Sequence, residues 1–283
     1  MVRAPAPRPA VSGQVNRVLR FVIGLLGAYL AICLLAFLLQ RKLMYFPIRS
    51  PDLQPAAWGL PQAERLTVAP GLCGWWLRAP EAQRRDLAVV LCNGNAGHIG
   101  YRAPKARVLA DLGLDVLLFD YPGYGCSAGA PSRASLVRAG EAAFAAARRR
   151  ARRVGLYGES IGSAVAVEIA AGAAEPAFLI LEGSFPSAAD LARHHYPILP
   201  VRWFLLDRFD SAARIERAGC PALFLHAAED EVVPLSFGRR LYERAREPKR
   251  FAALPRAGHN DLPFAAEADY RRVIAEFLES LKQ

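Results

Sequence analysis

The sequence "RRVGLYGESIGSAVAV", residues 152–167, places Ser160 between Gly158 and Gly162, after an apolar run and before a helix-like one. Glycine and serine are common in turns, so an ordinary turn is one interpretation. The other is a nucleophile elbow, in which a strand ends, the chain reverses at the serine, and small neighbours let strand and helix pack closely. Short motifs recur by accident. The rest of the chain must therefore distinguish the two interpretations.

Eight apolar, strand-like runs follow a proline-rich connector, and from the third onward each is followed by a helix-like segment. The runs are "RLTVA", "GWWLR", "LAVVLC", "LDVLLFD", "RVGLY", "AFLILE", "PALFLH" and "RFAAL". Continuous apolar strands that alternate with helices are typical of a mostly parallel sheet covered on both faces. We therefore predict an α/β fold with an eight-stranded, mostly parallel sheet. Ligands bind beyond the carboxyl ends of such strands.

Polar residues of three chemical types follow different strands of this predicted sheet. Ser160 follows "RVGLY", Asp230 follows "PALFLH" and His259 follows "RFAAL". The chain order serine, acid, histidine is the one found when the nucleophile lies in the middle of the sheet. A histidine can accept the serine proton during attack, and an acid can orient the imidazole and stabilise its cation. The sequence predicts a catalytic triad of these residues.

The oxyanion of an acyl-transfer reaction needs preorganised N–H donors. The candidates are the backbone N–H groups of Ile161, directly after the nucleophile, and of Asn95 in the "NGNAG" loop, with Ala96 as the neighbouring possibility. No cluster of His, Asp or Cys has metal-ligand spacing, so we expect neither a metal nor another cofactor.

Other polar residues have alternative interpretations. Asp210, in "DRFDS", is the main rival to Asp230 because some hydrolases of this shape supply the acid from an earlier strand. Asp120 and Glu182 end strands, and we expect them to organise loops by accepting backbone N–H bonds. Four further histidines are weaker candidates for the base than His259: His98, His194, His195 and His226.

Residues 21–39, "FVIGLLGAYLAICLLAFLL", form a run of nineteen residues without a charge. Such a run nearly spans a hydrocarbon core of about 30 Å as a helix, so we predict a single transmembrane helix. A cleaved signal peptide is the rival, but its apolar region is shorter and is followed by small residues. The predicted segments are a basic tail (1–20), the transmembrane helix (21–39), a connector (40–62) and a catalytic domain (63–283) with a lid or insert at 183–215.

The formal net charge of +10 is concentrated at the N-terminal end. Residues 1–50 hold seven basic and no acidic side chains, whereas the remainder holds 29 basic and 26 acidic residues. This distribution predicts no nucleic-acid partner. Four arginines precede the apolar run and three basic residues follow it, which favours a cytoplasmic N-terminus and a catalytic domain on the non-cytoplasmic side. The five cysteines show no dense disulfide framework, and the oligomeric state is left open.

Eight ordered motifs make the chain resemble membrane-anchored serine hydrolases of the alpha/beta-hydrolase superfamily, the branch with Bem-type proteins and animal protein depalmitoylases. The resemblance covers about residues 38–265, and "QRKLMYFP" after the anchor belongs to it. The motifs are "NGNAGHIGYR", "DYPGYGCSAGAPS", "LYGESIGSAVA", "LEGSFPSAADLA", "YPILPV", "DRFDS", "AEDEVVP" and "AGHNDL". Two positions depart from the family pattern: Asn93 precedes Gly94 where relatives have histidine, and Glu159 precedes the nucleophile where they often have arginine.

These residues predict a serine hydrolase that cleaves esters or thioesters of small or lipid-like acylated substrates through an acyl-enzyme. A peptidase or an acyltransferase with the same triad is the first alternative, since leaving group and acceptor distinguish these enzymes. A non-catalytic, membrane-tethered binding module is the second, because a fold does not guarantee activity.

Overall fold

The computed structural model of the chain describes residues 11–281. Two compact units are present, and they meet in sequence between Gln40 and Arg41. The first consists of most of one long helix, and the second contains the sheet.

Helix α1 extends over Val11–Met44, so it is longer at both ends than the predicted transmembrane segment. Among the described residues, its part Val15–Met44 is the one stretch long and apolar enough to cross a membrane. Its apolar side chains are exposed along most of their length. The helix does not end at Leu39 because the residues after it, Gln40, Arg41, Lys42 and Leu43, are all good helix formers.

The second unit is built on a single eight-stranded sheet with the order β10-β9-β8-β7-β4-β6-β3-β2, counted over residues 11–281. Strand β2 is antiparallel to β3, and β3 is antiparallel to β6; the other neighbours are parallel. The strands are β2 (Glu64–Ala69), β3 (Leu72–Leu77), β4 (Leu87–Cys92), β6 (Asp115–Phe119), β7 (Arg153–Glu159), β8 (Leu179–Glu182), β9 (Ala222–Ala227) and β10 (Lys249–Leu254). The predicted eight-stranded, mostly parallel sheet is confirmed.

Helices cover both faces of this sheet, as the sequence predicted. The α-helices of the second unit are α2 (Ala103–Asp111), α3 (Arg133–Arg148), α4 (Ile161–Ala170), α5 (Ala188–His195), α6 (Val201–Phe204), α7 (Leu235–Arg244), α8 (Leu262–Ala265) and α9 (Glu267–Ser280). Helices α3, α4 and α7 pack on one face, and α2 and α9 pack on the other. Short 3-10 helices occupy Pro55–Trp58, Glu81–Gln83, Ile99–Arg102 and Ile215–Arg217.

Strand β4 explains why the central strands are continuous apolar runs. All six of its residues are buried, and successive side chains point to opposite faces of the sheet. Ala88, Val90 and Cys92 join the core beneath α3 and α4, whereas Leu87, Val89 and Leu91 join the core beneath α2 and α9. A strand with helices on both sides therefore has no position for a polar residue until its carboxyl end.

The sequence did not predict a two-stranded parallel sheet formed by β1 (Phe46–Pro47) and β5 (Ala96–Gly97). It joins the segment after α1 to the loop after β4. Tyr45, Leu53 and Leu60 from the predicted connector are buried, so this segment packs as part of the second unit.

Candidate active site

Ser160 lies at a sharp turn between β7 and α4, with φ +53° and ψ −118°. A positive φ is uncommon outside glycine and marks a strained residue that its surroundings hold in place. Here the Ser160 N–H donates to the carbonyl of Glu182 at 2.8 Å, and the Ser160 carbonyl accepts from the N–H of Ser163 at 2.9 Å. The turn projects the serine hydroxyl beyond the end of the sheet.

The two glycines that flank Ser160 allow a close approach of backbone segments. A Cβ at Gly162 would overlap the carbonyl oxygens of Cys92 and Asn93, and one at Gly158 would overlap Gly162 and Ser163. The start of α4 therefore lies directly against the end of β4. This contact brings the serine turn beside the loop that follows β4.

His259 and Asp230 complete a hydrogen-bonded chain with Ser160. The His259 Nε2 atom is 3.0 Å from Ser160 Oγ, and His259 Nδ1 is 2.8 Å from Asp230 Oδ2. Asp230 follows β9 and His259 follows β10, and neighbouring parallel strands end at the same edge of the sheet. Asp230 Oδ1 also accepts the N–H groups of Val232 and Val233. The structure thus brings the three predicted residues together.

The surroundings of the Ser160–His259–Asp230 hydrogen bonds favour the charged forms of Asp230 and His259. Burial alone would raise the pKa of Asp230, but the hydrogen bond and charge of His259 outweigh it, so the pKa is lowered. Burial alone would lower the pKa of His259, but Asp230, together with the charges of Glu159 and Glu182, raises it. A histidine held in this way is well suited to accept a proton from serine.

The loop after β4 carries the predicted oxyanion donor Asn95. The side-chain amide of Asn95 donates to the Met44 carbonyl at 2.9 Å, and its own carbonyl accepts from the Phe46 N–H and the Tyr124 hydroxyl. Asn93 donates from Nδ2 to the Phe119 carbonyl at 2.7 Å. The loop is therefore held by strand β6 and by the segment that follows α1. The other predicted donor, Ile161, is the first residue of α4.

A buried charge network lies beneath the site, and the sequence alone did not indicate it. Lys105 of α2 is 2.5 Å from Glu159 and 2.8 Å from Glu182, and Arg102 is 2.8 Å from Glu159. Burial would lower the pKa of Lys105, but the two carboxylates raise it. Burial would raise the pKa of Glu159, but Arg102 and Lys105 hold it well below its usual range. Glu159 and Glu182 end adjacent strands, so Lys105 links the strand that carries the nucleophile to its neighbour.

Two tyrosines extend this network away from the site. The Tyr157 hydroxyl bonds to Glu182 and lies 2.8 Å from the Tyr270 hydroxyl. Glu182 accepts hydrogen bonds from the side chains of Lys105 and Tyr157, whereas the sequence predicted that it would accept backbone N–H groups. Asp120 does organise a loop, because its Oδ1 accepts the Ile99 N–H at 2.9 Å. Burial raises the pKa of Asp120 to about 7.

A cavity of about 400 Å³ borders His259. Its wall combines the charged network with apolar and aromatic side chains, as expected for a pocket that holds a substrate with both polar and apolar parts. The lining includes Ile48, Tyr101, Arg102, Lys105, Asn260 and Phe264.

Comparisons with known proteins identify the family of the chain. A family model described as serine aminopeptidase, S33, matches residues 83–205. The lysophosphatidylserine lipase ABHD12 of Danio rerio is 31% identical, over 92% of this chain and 80% of the relative. The chain belongs to the serine hydrolases of the alpha/beta-hydrolase superfamily. The predicted resemblance to this superfamily is confirmed.

A further relative of this hydrolase comes from a bacterium, and a solved structure from an archaeon shares its fold. The uncharacterized protein Rv2307c of Mycobacterium tuberculosis is 39% identical, over 78% of this chain and 81% of the relative. The esterase Pf2001 of Pyrococcus furiosus shares the fold, with a TM-score of 0.65 and 17% identity over 84% of this chain and 97% of the esterase.

The rival candidates of this hydrolase lie apart from Ser160 or serve other contacts. Asp210 is exposed and accepts the Ala213 N–H. His226 is buried behind Asp230, with its Nε2 atom 2.8 Å from the Val233 carbonyl and 3.6 Å from Asp230 Oδ2. His98 accepts the Gly100 N–H and packs edge-on against Trp58.

The remaining two histidines belong to the predicted insert. His194 packs against Phe237, and His195 Nε2 is 2.7 Å from the Val232 carbonyl, two residues beyond Asp230. Over residues 11–281, no group of three or more His, Cys, Asp or Glu side chains has an arrangement that could hold a metal ion.

Cys73 and Cys126 form a disulfide between β3 and the loop that follows β6. Ser127 strengthens the same junction, because its Oγ accepts the Cys73 N–H and donates to the Asp120 carbonyl. This pairing was not predicted from the sequence. The disulfide ties the residue after the "YPGYG" loop to β3, and the Tyr124 hydroxyl of that loop donates to the Asn95 carbonyl.

Proposed function

We propose that this hydrolase is a membrane-anchored esterase or thioesterase that acts through an acyl-enzyme on Ser160. The observation that carries the proposal is the hydrogen-bonded chain from Ser160 Oγ to His259 and on to Asp230, at 3.0 Å and 2.8 Å. Nucleophile and base within hydrogen-bond reach, with the base oriented by a carboxylate, are the parts that serine catalysis requires.

In the first half-reaction, Ser160 Oγ attacks the acyl carbon while His259 Nε2 takes the hydroxyl proton. Asp230 stabilises the resulting imidazolium, and the N–H groups of Ile161 and Asn95 stabilise the oxyanion of the tetrahedral intermediate. The bond to the alkoxide or thiolate then breaks, and that group leaves with the proton from His259. In the second half-reaction, water attacks the acyl-enzyme by the same route, releases the acid and restores Ser160.

Different observations support the proposed membrane anchor and the proposed lipid-like substrate class. Helix α1 is long and apolar enough to span a bilayer, and the Danio rerio relative is named as a lysophosphatidylserine lipase. The cavity beside His259 has apolar and charged walls, which suits an acyl substrate with a polar group. The Cys73–Cys126 disulfide supports a domain on the non-cytoplasmic side, because disulfides persist in oxidising compartments.

A peptidase is the second candidate, favoured by the family model described as serine aminopeptidase. A chain-length series of p-nitrophenyl esters, assayed beside thioester and aminoacyl substrates, separates the two. Preference for aminoacyl substrates would replace the esterase proposal.

A fluorophosphonate probe tests whether the serine is reactive at all. We expect the wild-type chain to be labelled and Ser160→Ala to remain unlabelled while keeping its circular dichroism spectrum. Equal labelling of both would place the reactive serine elsewhere. A folded wild-type chain that takes up no probe would favour the non-catalytic binding module.

A further inference from the structure

The segment between β8 and β9 presents large apolar side chains to the surface of the second unit. Trp203 is 86% exposed and Ile198 is 78% exposed. Soluble surfaces rarely display tryptophan so openly, and clustered exposed apolar residues mark interaction sites. We call this group the insert face; it consists of Tyr196, Ile198, Trp203 and Leu206, all exposed.

The fold fixes this exposure. Val201 and Leu205, on the same short helical segment, are buried in the core. Backbone bonds from Leu199 to Tyr196, and from Trp203 to Pro200, close the turns between them. Because Val201 and Leu205 face inward, Trp203 has to point away from the domain.

The exposed ionic side chains nearest in sequence to the insert face have one sign. Within residues 193–208, all of which the structure describes, the exposed ionic side chains are Arg193, Arg202 and Arg208. The acidic residue of this stretch, Asp207, is buried and its Oδ2 is 2.9 Å from Arg41 Nε. Aromatic and aliphatic side chains interspersed with arginines are typical of a surface that lies at the interface of an anionic bilayer.

The ion pair between Asp207 and Arg41 connects the insert to the start of the second unit. Arg41 is the first residue of the second unit and directly follows the apolar part of α1. Asp207 is four residues from Trp203, and it also accepts the N–H of Arg133 in the second unit. Asp207, which belongs to the same insert as the insert face, is thus bonded to the residue at which the second unit begins.

We infer that the insert face docks on the headgroup region of an anionic phospholipid bilayer, with Trp203 as its principal apolar contact. The inference rests on the anchoring that the proposed function includes, and adds a second contact with the same bilayer. His195, at the end of α5, bonds to the Val232 carbonyl in the loop that carries Asp230. Docking therefore places the loop of the candidate acid near the surface from which a lipid-like substrate emerges.

Tryptophan quenching by brominated lipid tests this contact in the full-length chain. The sequence has four tryptophans, Trp58, Trp75, Trp76 and Trp203, and none lies in α1. The chain is reconstituted in vesicles of equal parts phosphatidylcholine and phosphatidylglycerol, with acyl chains brominated near the headgroup end. Flotation of the vesicles on a density gradient shows separately whether the chain is anchored.

We expect emission of the floating wild-type chain to be quenched, and Trp203→Phe to lose the larger part of that quenching. The matched control Trp58→Phe, which changes a partly buried tryptophan, should retain it. Arg202→Glu should reduce the quenching, and so should omission of phosphatidylglycerol.

Two results would overturn the inference while leaving the anchor intact. One is a chain that floats but shows equal quenching in the wild type and Trp203→Phe. The other is an unquenched Trp203 together with disulfide-linked dimers of a Trp203→Cys variant, which would assign the insert face to a second copy of the chain. A chain that does not float would remove the proposed anchor, and the docking inference with it.

Discussion

Replacing Lys105 with methionine removes one charge from the network beneath the candidate active site and keeps a side chain of similar length. The Lys105 side chain is 7% exposed and bonds to both Glu159 and Glu182. Loss of one partner from a buried ion pair destabilises a protein by about 3–5 kcal/mol, because the remaining charge is left uncompensated. At about 2–4 °C per kcal/mol for a domain of this size, the melting temperature should fall by about 6–20 °C.

The same substitution should change the pH dependence of activity. The charges of Glu159 and Glu182 already raise the pKa of His259, and without Lys105 they are less compensated. The pKa of His259 should therefore rise further. Because His259 has to be neutral to accept the serine proton, the acid limb of kcat/KM should move to higher pH. The measurement is a pH–rate profile with a short p-nitrophenyl ester, beside a thermal melt at neutral pH.

Two further variants make the test specific. Lys105→Met/Glu182→Gln restores the balance of charge and should melt above the single variant. Lys42→Met removes an exposed lysine and should change neither readout. The reasoning fails if Lys105→Met melts within about 1 °C of the wild type, where burial predicts a loss several times larger, and its acid limb does not move.

Asp230→Asn should lower kcat/KM by about 10³-fold or more, because it removes a member of the proposed triad. Asp210→Asn should retain near-wild-type activity, and the reverse ranking of the two variants would make Asp210 the acid. Gly162→Ala places a Cβ against the carbonyl oxygens of Cys92 and Asn93, so its melting temperature should lie well below that of Gly172→Ala, where a Cβ has more space. Equal melting temperatures of the two variants would contradict this close packing. Deletion of residues 1–40 should release the chain from membranes and spare hydrolysis of short soluble esters, while turnover of long-chain substrates in a bilayer falls. Retention on membranes after a high-salt wash, or equal loss on both substrates, would contradict the anchoring role.

The strands were predictable from sequence because their physical requirement is local. A central strand such as β4 has to be apolar on both faces, so its bounds follow from the run "LAVVLC" alone. The bounds of α1 were less predictable. Hydropathy indicates only which residues can lie in the hydrocarbon core of a membrane. A helix continues beyond them for as long as its backbone hydrogen bonds are maintained, and α1 therefore extends from Val11 to Met44.

The candidate triad was also predictable, since strand ends of one sheet meet at one edge and the three residues each follow a strand. The charge network was not. Lys105 stands in "PKARVLAD", which resembles the polar face of any surface helix, and its partners lie 54 and 77 residues away. The pairing of Cys73 with Cys126 depends on contact between two loops and has no signature in cysteine spacing.

The strand order has a consequence for biosynthesis. Strand β4 pairs with β6 on one side and with β7 on the other, so Leu87 meets Arg153 only after α2, β6 and α3 have been made. Helix α1 precedes the whole sheet and leaves the ribosome before any of these strands. With α1 as the proposed anchor, the nascent chain would enter a bilayer while β4 still lacks a neighbour, and the sheet would close on a polypeptide tethered at one end.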